Sequence, residues 1–207
     1  MTLAQTPAQA WQYLAEGNAR FVSGQRSHPH QDAARRAELV SGQNPFAAIL
    51  GCADSRLAAE IIFDLGLGDA FVIRTAGQVL DDAVLGSLEY AAGKLQIHLI
   101  MVLGHDSCGA IKATDQALAS GSMPAGFVRN LVEAILPSVI SPQLPADANL
   151  NDKVVEHTRQ TAARITEQSA LIREKVAAGE LAVIGVFYHL AEGKAELVFS
   201  SDPALAS

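Results

Sequence analysis

The sequence predicts an α/β fold whose central sheet is mostly parallel, with about four parallel strands and an antiparallel edge strand, flanked by helices. Three compact apolar runs, at residues 46–51, 70–75 and 97–104, have the length and composition of buried strands. A segment of helical pattern follows each run, and strands that alternate with helices imply right-handed crossovers and a parallel sheet. The fold class therefore follows from the order of the elements.

The chain opens with helical patterns that precede the sheet. Trp11, Leu14 and Phe21 recur at a helix-like spacing and predict an amphipathic helix over residues 7–24. A second, polar helix is predicted near residues 31–41. Both helices come before the first strand, so we expect them to form an N-terminal helical arm.

Beyond the N-terminal arm, the chain is rich in helical pattern and ends in strands. Helices are predicted at residues 57–63, 80–93, 108–120, 126–140 and 149–178. The charged run from residue 151 to residue 175, which includes Glu156, is predicted to be the solvated face of its helix. The apolar run at 181–190 predicts a fourth buried strand, and a glycine-containing turn leads into an antiparallel edge strand at 195–200.

Length and composition predict a single domain that acts on small molecules. The 207 residues, of which 49% are apolar, can bury one core. We expect one domain over residues 1–207, with the helical arm at about 6–41 and an α/β core at about 45–200. A net charge of -7 argues against a nucleic-acid partner. The sequence has no apolar run of roughly 18 residues and no basic and apolar leader, which predicts a cytoplasmic protein without a membrane partner.

The two cysteines of the chain, Cys52 and Cys108, both follow predicted strands. With only two, and in a cytosol that keeps thiols reduced, a disulfide framework is not indicated. Cys52 ends the first strand, and His105 and Cys108 follow the third with the spacing H-x-x-C. Ligands of open parallel sheets gather at the carboxyl ends of the strands, so the three side chains are expected to converge. Two thiolates and one imidazole suit Zn²⁺ and leave its fourth tetrahedral position open for water.

Neither cysteine proves a metal site by itself, because a lone cysteine in an α/β core is more often a small, inert apolar residue. Asp54 and Arg56 stand two and four residues after Cys52, where a carboxylate and a guanidinium can pair through two hydrogen bonds. The same pair could equally be an ordinary surface salt bridge. The residues alone therefore leave both a catalytic metal site and a purely structural role open.

The same residues carry a resemblance to the beta-class carbonic anhydrases, in particular to bacterial members of the plant-like subtype. The motif C-x-D-S-R begins at Cys52 and the motif H-x-x-C-G begins at His105. The segment at 60–79 is similar to the one that joins the two motifs in the family, except that Gln78 stands where many members have asparagine. The resemblance covers roughly residues 8–200.

The resemblance implies the reversible hydration of carbon dioxide to bicarbonate and a proton, with one Zn²⁺ per chain. Cys52, His105 and Cys108 would be the zinc ligands, and a zinc-bound hydroxide would be oriented by the dyad of Asp54 and Arg56. Because two thiolates cancel the charge of the ion, the active form should accumulate above neutral pH. Asp54 would alternatively be the fourth zinc ligand in a closed state that excludes water.

The resemblance also implies a pocket for CO₂ and bicarbonate that is lined by Gln43, Phe71, Ala76, Tyr90 and Gly109. Gln43 matches the glutamine that donates a hydrogen bond to substrate in the plant-like subtype, and Tyr90 would reach across a dimer interface. Without the resemblance, Phe71 and Tyr90 would be ordinary core residues and Gln43 a loop residue. The family further implies a homodimer or a dimer of dimers.

Two other functions remain open at this stage. A hydrolase of carbonyl sulfide or carbon disulfide would use the same zinc ligands on the same fold. A non-catalytic zinc or redox sensor would use Cys52 and Cys108 to respond to oxidants, but it would have no need of Asp54 or Arg56. Another subtype of the family carries tryptophan where this chain has Ile49, so the allosteric bicarbonate site of that subtype is not expected.

Overall fold

The centre of the molecule is a five-stranded sheet in a computed structural model that describes residues 4–205. The ends of the predicted domain, residues 1–3 and 206–207, lie outside the described residues. The strands are β1 (Ala47–Cys52), β2 (Ala70–Thr75), β3 (Leu99–His105), β4 (Ala182–Tyr188) and β5 (Ala195–Ser200). They lie side by side in the order β2-β1-β3-β4-β5.

The pairing of the strands confirms the predicted fold class. β1 pairs in parallel with β2 and with β3, and β4 pairs in parallel with β3. β5 is the antiparallel edge strand beside β4. β1, β3 and β4 are buried along their whole length, which explains why their sequences are continuous apolar runs rather than alternating patterns.

Eight α-helices connect and cover the strands within residues 4–205. They are α1 (Pro7–Val22), α2 (Ala33–Glu38), α3 (Ala59–Ile62), α4 (Asp82–Gly93), α5 (Gly109–Ser120), α6 (Val128–Val139), α7 (Leu150–Gln168) and α8 (Ala170–Ala177). The side chains of Thr6, Asp81 and Asn149 accept backbone hydrogen bonds at the starts of α1, α4 and α7, which fixes where these helices begin. Among the described residues, no helix is long and apolar enough to cross a membrane.

The helices form a layer on each face of the sheet. Successive side chains of a strand point to opposite faces, and along β1 Ala47 and Ile49 face one apolar cluster while Ala48 and Leu50 face the other. The first cluster includes residues of α1, α3, α5 and α6. The second includes residues of α4 and α8, and α7 contributes to both.

The helix predicted over 149–178 is two helices, because Ser169 ends α7 and begins α8. The Ser169 hydroxyl accepts a hydrogen bond from the Ile172 N–H at 3.1 Å and so begins α8. The same hydroxyl donates to Glu89 Oε1 at 2.6 Å. In the sequence, Ser169 fits as one more polar position of a long helix, but in the structure it is the N-cap of α8.

The prediction that Glu156 lies on a solvated helix face was wrong. Glu156 is only 7% exposed, on the side of α7 that packs against α6. Its Oε1 accepts hydrogen bonds from the Ser141 hydroxyl and from the Gln160 amide, both at 2.7 Å. These partners satisfy a carboxylate whose burial would otherwise be costly.

Candidate metal centre

The carboxyl ends of β1 and β3 bring two cysteines and a histidine together, as predicted. Cys52 is the last residue of β1, His105 is the last residue of β3, and Cys108 immediately precedes α5. The sulfur atoms of the cysteines and a ring nitrogen of His105 all lie within 4.8 Å of one another. All three residues are buried, so the cluster is a preformed set of donor atoms below the surface.

Backbone N–H groups point at both sulfur atoms. Cys52 Sγ accepts hydrogen bonds from the N–H groups of Asp54, at 3.4 Å, and Gly77, at 3.2 Å. Cys108 is the residue before the first turn of α5, and the N–H groups of Ala110 and Ile111 bond its sulfur and so oppose the overall rise of its pKa. Such donors favour the thiolate form, which is the form that binds a metal ion.

The pKa values of the two cysteines are shifted in opposite directions. Hydrogen bonds from the Cys108 thiol and from the backbone, together with the neighbouring His105 ring, lower the pKa of Cys52 to about 4, although burial opposes the shift. The Cys52 thiolate, together with burial, raises the pKa of Cys108 well above its usual range. A divalent cation would neutralise two thiolates, so the cluster fits a cation of charge +2.

His105 presents a free ring nitrogen to the same point. Its Nδ1 donates to the backbone carbonyl of Asp106 at 2.8 Å, which leaves Nε2 as the unprotonated nitrogen of a neutral ring. His105 Nε2 is buried and has no hydrogen-bond partner among residues 4–205. Burial would lower the pKa of His105, but the Cys52 thiolate raises it overall. An unpartnered, buried imidazole nitrogen beside two sulfur atoms fits a metal ligand.

Asp54 and Arg56 form the bidentate pair that the sequence predicts. Arg56 Nε donates to Asp54 Oδ1 at 2.9 Å, and Arg56 Nη2 donates to Asp54 Oδ2 at 2.7 Å. These bonds from Arg56 hold the pKa of Asp54 well below its usual range, so the carboxyl stays ionised. Asp54 Oδ2 also lies 3.9 Å from His105 Nε2, which places the carboxylate at the edge of the donor cluster.

Two of the five predicted pocket residues lie beside the cluster. Ala76 directly precedes Gly77, whose N–H contacts Cys52, and Gly109 directly follows Cys108 as the first residue of α5. Ala76 is half-buried and Gly109 is exposed, so both can face a small molecule that approaches the cluster.

The other three predicted pocket residues lie toward the amino ends of the parallel strands, away from the cluster at the carboxyl ends. Gln43 is exposed and precedes the amino end of β1, whose length puts about 17 Å between its first residue and Cys52. Phe71 is four residues, or about 13 Å, before the residue of β2 that pairs with Cys52. Tyr90 lies against Phe71, with their ring centroids 6.2 Å apart. One chain therefore does not bring Gln43, Phe71 and Tyr90 to its own cluster.

Two residues contribute to the site without having been given a role from the sequence. Arg74, on β2, donates from Nε to the Cys52 carbonyl at 3.0 Å and from Nη2 to the Asp54 carbonyl at 2.7 Å. Gly77 donates to Cys52 Sγ from a turn in which its φ is +71°. In the sequence, Arg74 is an arginine in a predicted strand and Gly77 follows an alanine. Neither pattern indicates which group the residue would bond.

Comparison with known proteins identifies the family. A family model described as carbonic anhydrase matches residues 47–195, which include the whole cluster. The carbonic anhydrase of Mycolicibacterium smegmatis is 51% identical over 191 residues, which are 92% of this chain and 93% of that protein. The chain therefore belongs to the carbonic anhydrases, the enzymes that interconvert carbon dioxide and bicarbonate.

Solved structures define the class within that family. The beta-carbonic anhydrase CcaA superposes with a TM-score of 0.71 at 25% identity, over 95% of this chain and 90% of that one. One of two tetrameric beta-carbonic anhydrases from Sordaria macrospora shares the fold with a TM-score of 0.69 at 23% identity, over 90% and 95% of the two chains. The enzyme is a beta-class carbonic anhydrase, which confirms the resemblance.

Proposed function

We propose that the enzyme is a zinc-dependent carbonate dehydratase in which Cys52, His105 and Cys108 hold one Zn²⁺ and Asp54, locked by Arg56, orients the attacking oxygen. One observation carries the proposal. Two sulfur atoms and an unpartnered imidazole nitrogen lie within 4.8 Å, with an ionised carboxylate 3.9 Å from that nitrogen. This donor set has the composition of a catalytic zinc site with three protein ligands.

When bound, Zn²⁺ would acidify a water molecule and so supply a hydroxide nucleophile near neutral or alkaline pH. The chain's own residues set the orientation. Asp54 Oδ2 can only accept a hydrogen bond, because Arg56 keeps the carboxyl ionised. A hydroxyl proton that is held at this oxygen leaves the oxygen lone pairs of the nucleophile directed away from Asp54, toward the open side of the site.

Arg56 and Arg74 restrict the position of Asp54 from two sides. Arg56 bonds both carboxylate oxygens, and Arg74 bonds the backbone carbonyl of Asp54. A carboxylate with fixed oxygens and a fixed backbone loses little entropy when it orients a reactant. Released from Arg56, the same carboxylate is near enough to become a fourth ligand.

A second copy of the chain would complete the substrate pocket. Gln43, Phe71 and Tyr90 lie at the amino edge of their own sheet, and Tyr90 is 49% exposed. In a two-fold symmetric dimer, each chain could offer this group to the cluster of the other. The proposed assembly is a homodimer or a dimer of dimers, in keeping with the tetrameric structures from Sordaria macrospora.

Stopped-flow hydration of CO₂ by zinc-quantified protein tests the proposed function. We expect activity that is lost on removal of zinc, is restored by Zn²⁺, and exceeds sulfide release from carbonyl sulfide. Protein that holds one zinc per chain but does not hydrate CO₂ at alkaline pH would contradict the proposal. Faster sulfide release than CO₂ hydration would instead assign the site to carbonyl sulfide.

A further inference from the structure

The turn after β2 supplies a hydrogen bond to the proposed metal ligand Cys52. Gly77 donates its N–H to Cys52 Sγ at 3.2 Å and has a φ of +71°, a conformation that favours glycine. A β-carbon at this position would lie 2.9 Å from side-chain carbons of both Ala110 and Ile135. The direction of the Gly77 N–H therefore depends on a backbone conformation that favours glycine, at a position with little space for a side chain.

His157, on α7, holds the carbonyl of the same glycine. His157 Nε2 lies 2.9 Å from the Gly77 carbonyl oxygen, and His157 Nδ1 lies 3.0 Å from the Ser138 hydroxyl oxygen. Because a carbonyl can only accept, the proton of a neutral ring must be on Nε2. Burial lowers the pKa of His157 to about 4, so the ring is neutral at physiological pH. The Ser138 hydroxyl then has two acceptors for its single proton, His157 Nδ1 and Gln160 Oε1, each at 3.0 Å.

The next residue of α7 contacts the next residue of the turn. Gln78 Nε2 donates to Thr158 Oγ1 at 3.4 Å, and Gln78 itself has a φ of +44°. Thr158 is so close to β3 that a β-carbon on Gly104, the residue before His105, would lie 2.1 Å from Thr158 Oγ1. The absence of a side chain at Gly104 thus lets α7 lie close to the sheet. There His157 contacts Gly77 and Thr158 contacts Gln78.

We propose that His157 is a positioning residue of the metal centre, which fixes Gly77 so that its N–H reaches the sulfur of Cys52. This inference rests on the proposed zinc site. A hydrogen bond to a thiolate draws charge from the sulfur and limits its donation to a bound cation, as outer groups of metal sites do. His157 therefore adjusts the Cys52 ligand without contacting it.

Two substitutions of His157 separate this role from ordinary packing. In H157Q, the amide nitrogen reaches the place of Nε2 and can still donate to Gly77. In H157N, the shorter side chain reaches toward Ser138 but not Gly77. S138A is the matched control, because it removes the other partner of His157 and leaves the Gly77 bond in place.

Cobalt-substituted protein gives a direct reading of the Cys52 ligand. In H157N we expect the thiolate-to-Co²⁺ charge-transfer band to move to lower energy, because the Cys52 sulfur loses a hydrogen bond that draws charge from it. H157Q should stay near wild type, and S138A should lose stability without a shift of the band. A wild-type band in H157N, or an equal shift in S138A, would overturn the proposal.

A measurement on the unmodified protein covers the case in which H157N does not fold. Nitrogen NMR of the zinc-loaded enzyme should show a neutral His157 ring with its proton on Nε2, and a proton on Nδ1 would overturn the proposal. If wild-type protein gives no thiolate-to-Co²⁺ band at all, the proposed metal centre itself fails. That result is distinct from a normal wild-type band that His157 does not influence.

Discussion

In the proposed site, Asp54 can either orient the attacking oxygen or become a fourth zinc ligand, and we propose that Arg56 holds it in the first role. Arg56 takes up both carboxylate oxygens, while Asp54 Oδ2 is already 3.9 Å from His105 Nε2. In the proposed site the pair would do more than an ordinary surface salt bridge, whose loss would change little. Its geometry keeps the carboxylate beside the donor cluster but outside it.

Replacing Arg56 should convert Asp54 into a ligand. We expect R56A to retain zinc but to lose CO₂ hydration by at least about 100-fold, because the freed carboxylate fills the open position. Zinc content and stopped-flow hydration measure the two effects separately. R36A, which removes an exposed arginine from α2, is the control and should behave as wild type. Full zinc content with near-normal hydration in R56A would contradict this role.

In the proposed metal centre, Cys108 is required to hold the ion. A serine hydroxyl keeps its proton at neutral pH and is a far poorer ligand for zinc than a thiolate. After dialysis, C108S should hold less than about one tenth of the wild-type zinc. S120A, at the far end of α5, should keep its zinc. Undiminished zinc in C108S would mean that the ion is held elsewhere.

Between the elements, a buried carboxylate ties the N-terminal arm to the sheet. Asp64, just after α3, accepts four hydrogen bonds, from Arg20 Nε, from the N–H and hydroxyl of Ser27, and from the His28 N–H. Burial alone would raise the pKa of Asp64, but these partners lower it well below its usual range. Asp64 thus connects α1 and the segment after it to the loop that leads into β2.

The substitution D64N should therefore destabilise the folded chain. We expect the free energy of unfolding at pH 7 to fall by about 2 kcal/mol, measured by urea denaturation. Because the folded-state pKa is lowered, the contribution of Asp64 is present above about pH 4 and is lost as the pH falls toward that lowered value. The difference from wild type should shrink below about pH 4. D147N, in an exposed loop, is the control, and a pH-independent difference would contradict the account.

Short sequence patterns could predict the strands, and with them the features that follow directly from the strand order. Cys52 and His105 converge because neighbouring parallel strands end at the same edge, so the cluster follows from the strand predictions. The contact between His157 and Gly77 joins residues 80 positions apart, and no spacing indicates it. The burial of Glu156 likewise depends on how α6 packs on α7, which a charge pattern does not record.

For the whole molecule, the sheet separates the proposed site residues into two groups. Cys52, with its neighbours, lies at the carboxyl end of β1, and Gln43 precedes the amino end of the same strand. The family resemblance assigned both groups to one pocket, but it could not show that a single chain keeps them apart. A pocket shared between two copies reconciles the assignment with the geometry.

Mixed dimers test whether the pocket is shared. Q43A should lower CO₂ hydration by about 10-fold or more, because a substrate hydrogen bond is lost, and C108S should be inactive through loss of zinc. In a dimer of one Q43A chain and one C108S chain, purified through two different tags, the zinc of the first would face the intact Gln43 of the second. About half of the wild-type activity per dimer should return. Activity no greater than that of the parent variants would contradict a shared pocket.

The ligand set of bound zinc is the point on which the whole account depends. X-ray absorption of the zinc-loaded enzyme should show two sulfur atoms at about 2.3 Å and one imidazole nitrogen at about 2.0 Å, with one oxygen completing the shell. A shell without sulfur, or one built from nitrogen and oxygen alone, would show that Cys52 and Cys108 do not hold the ion.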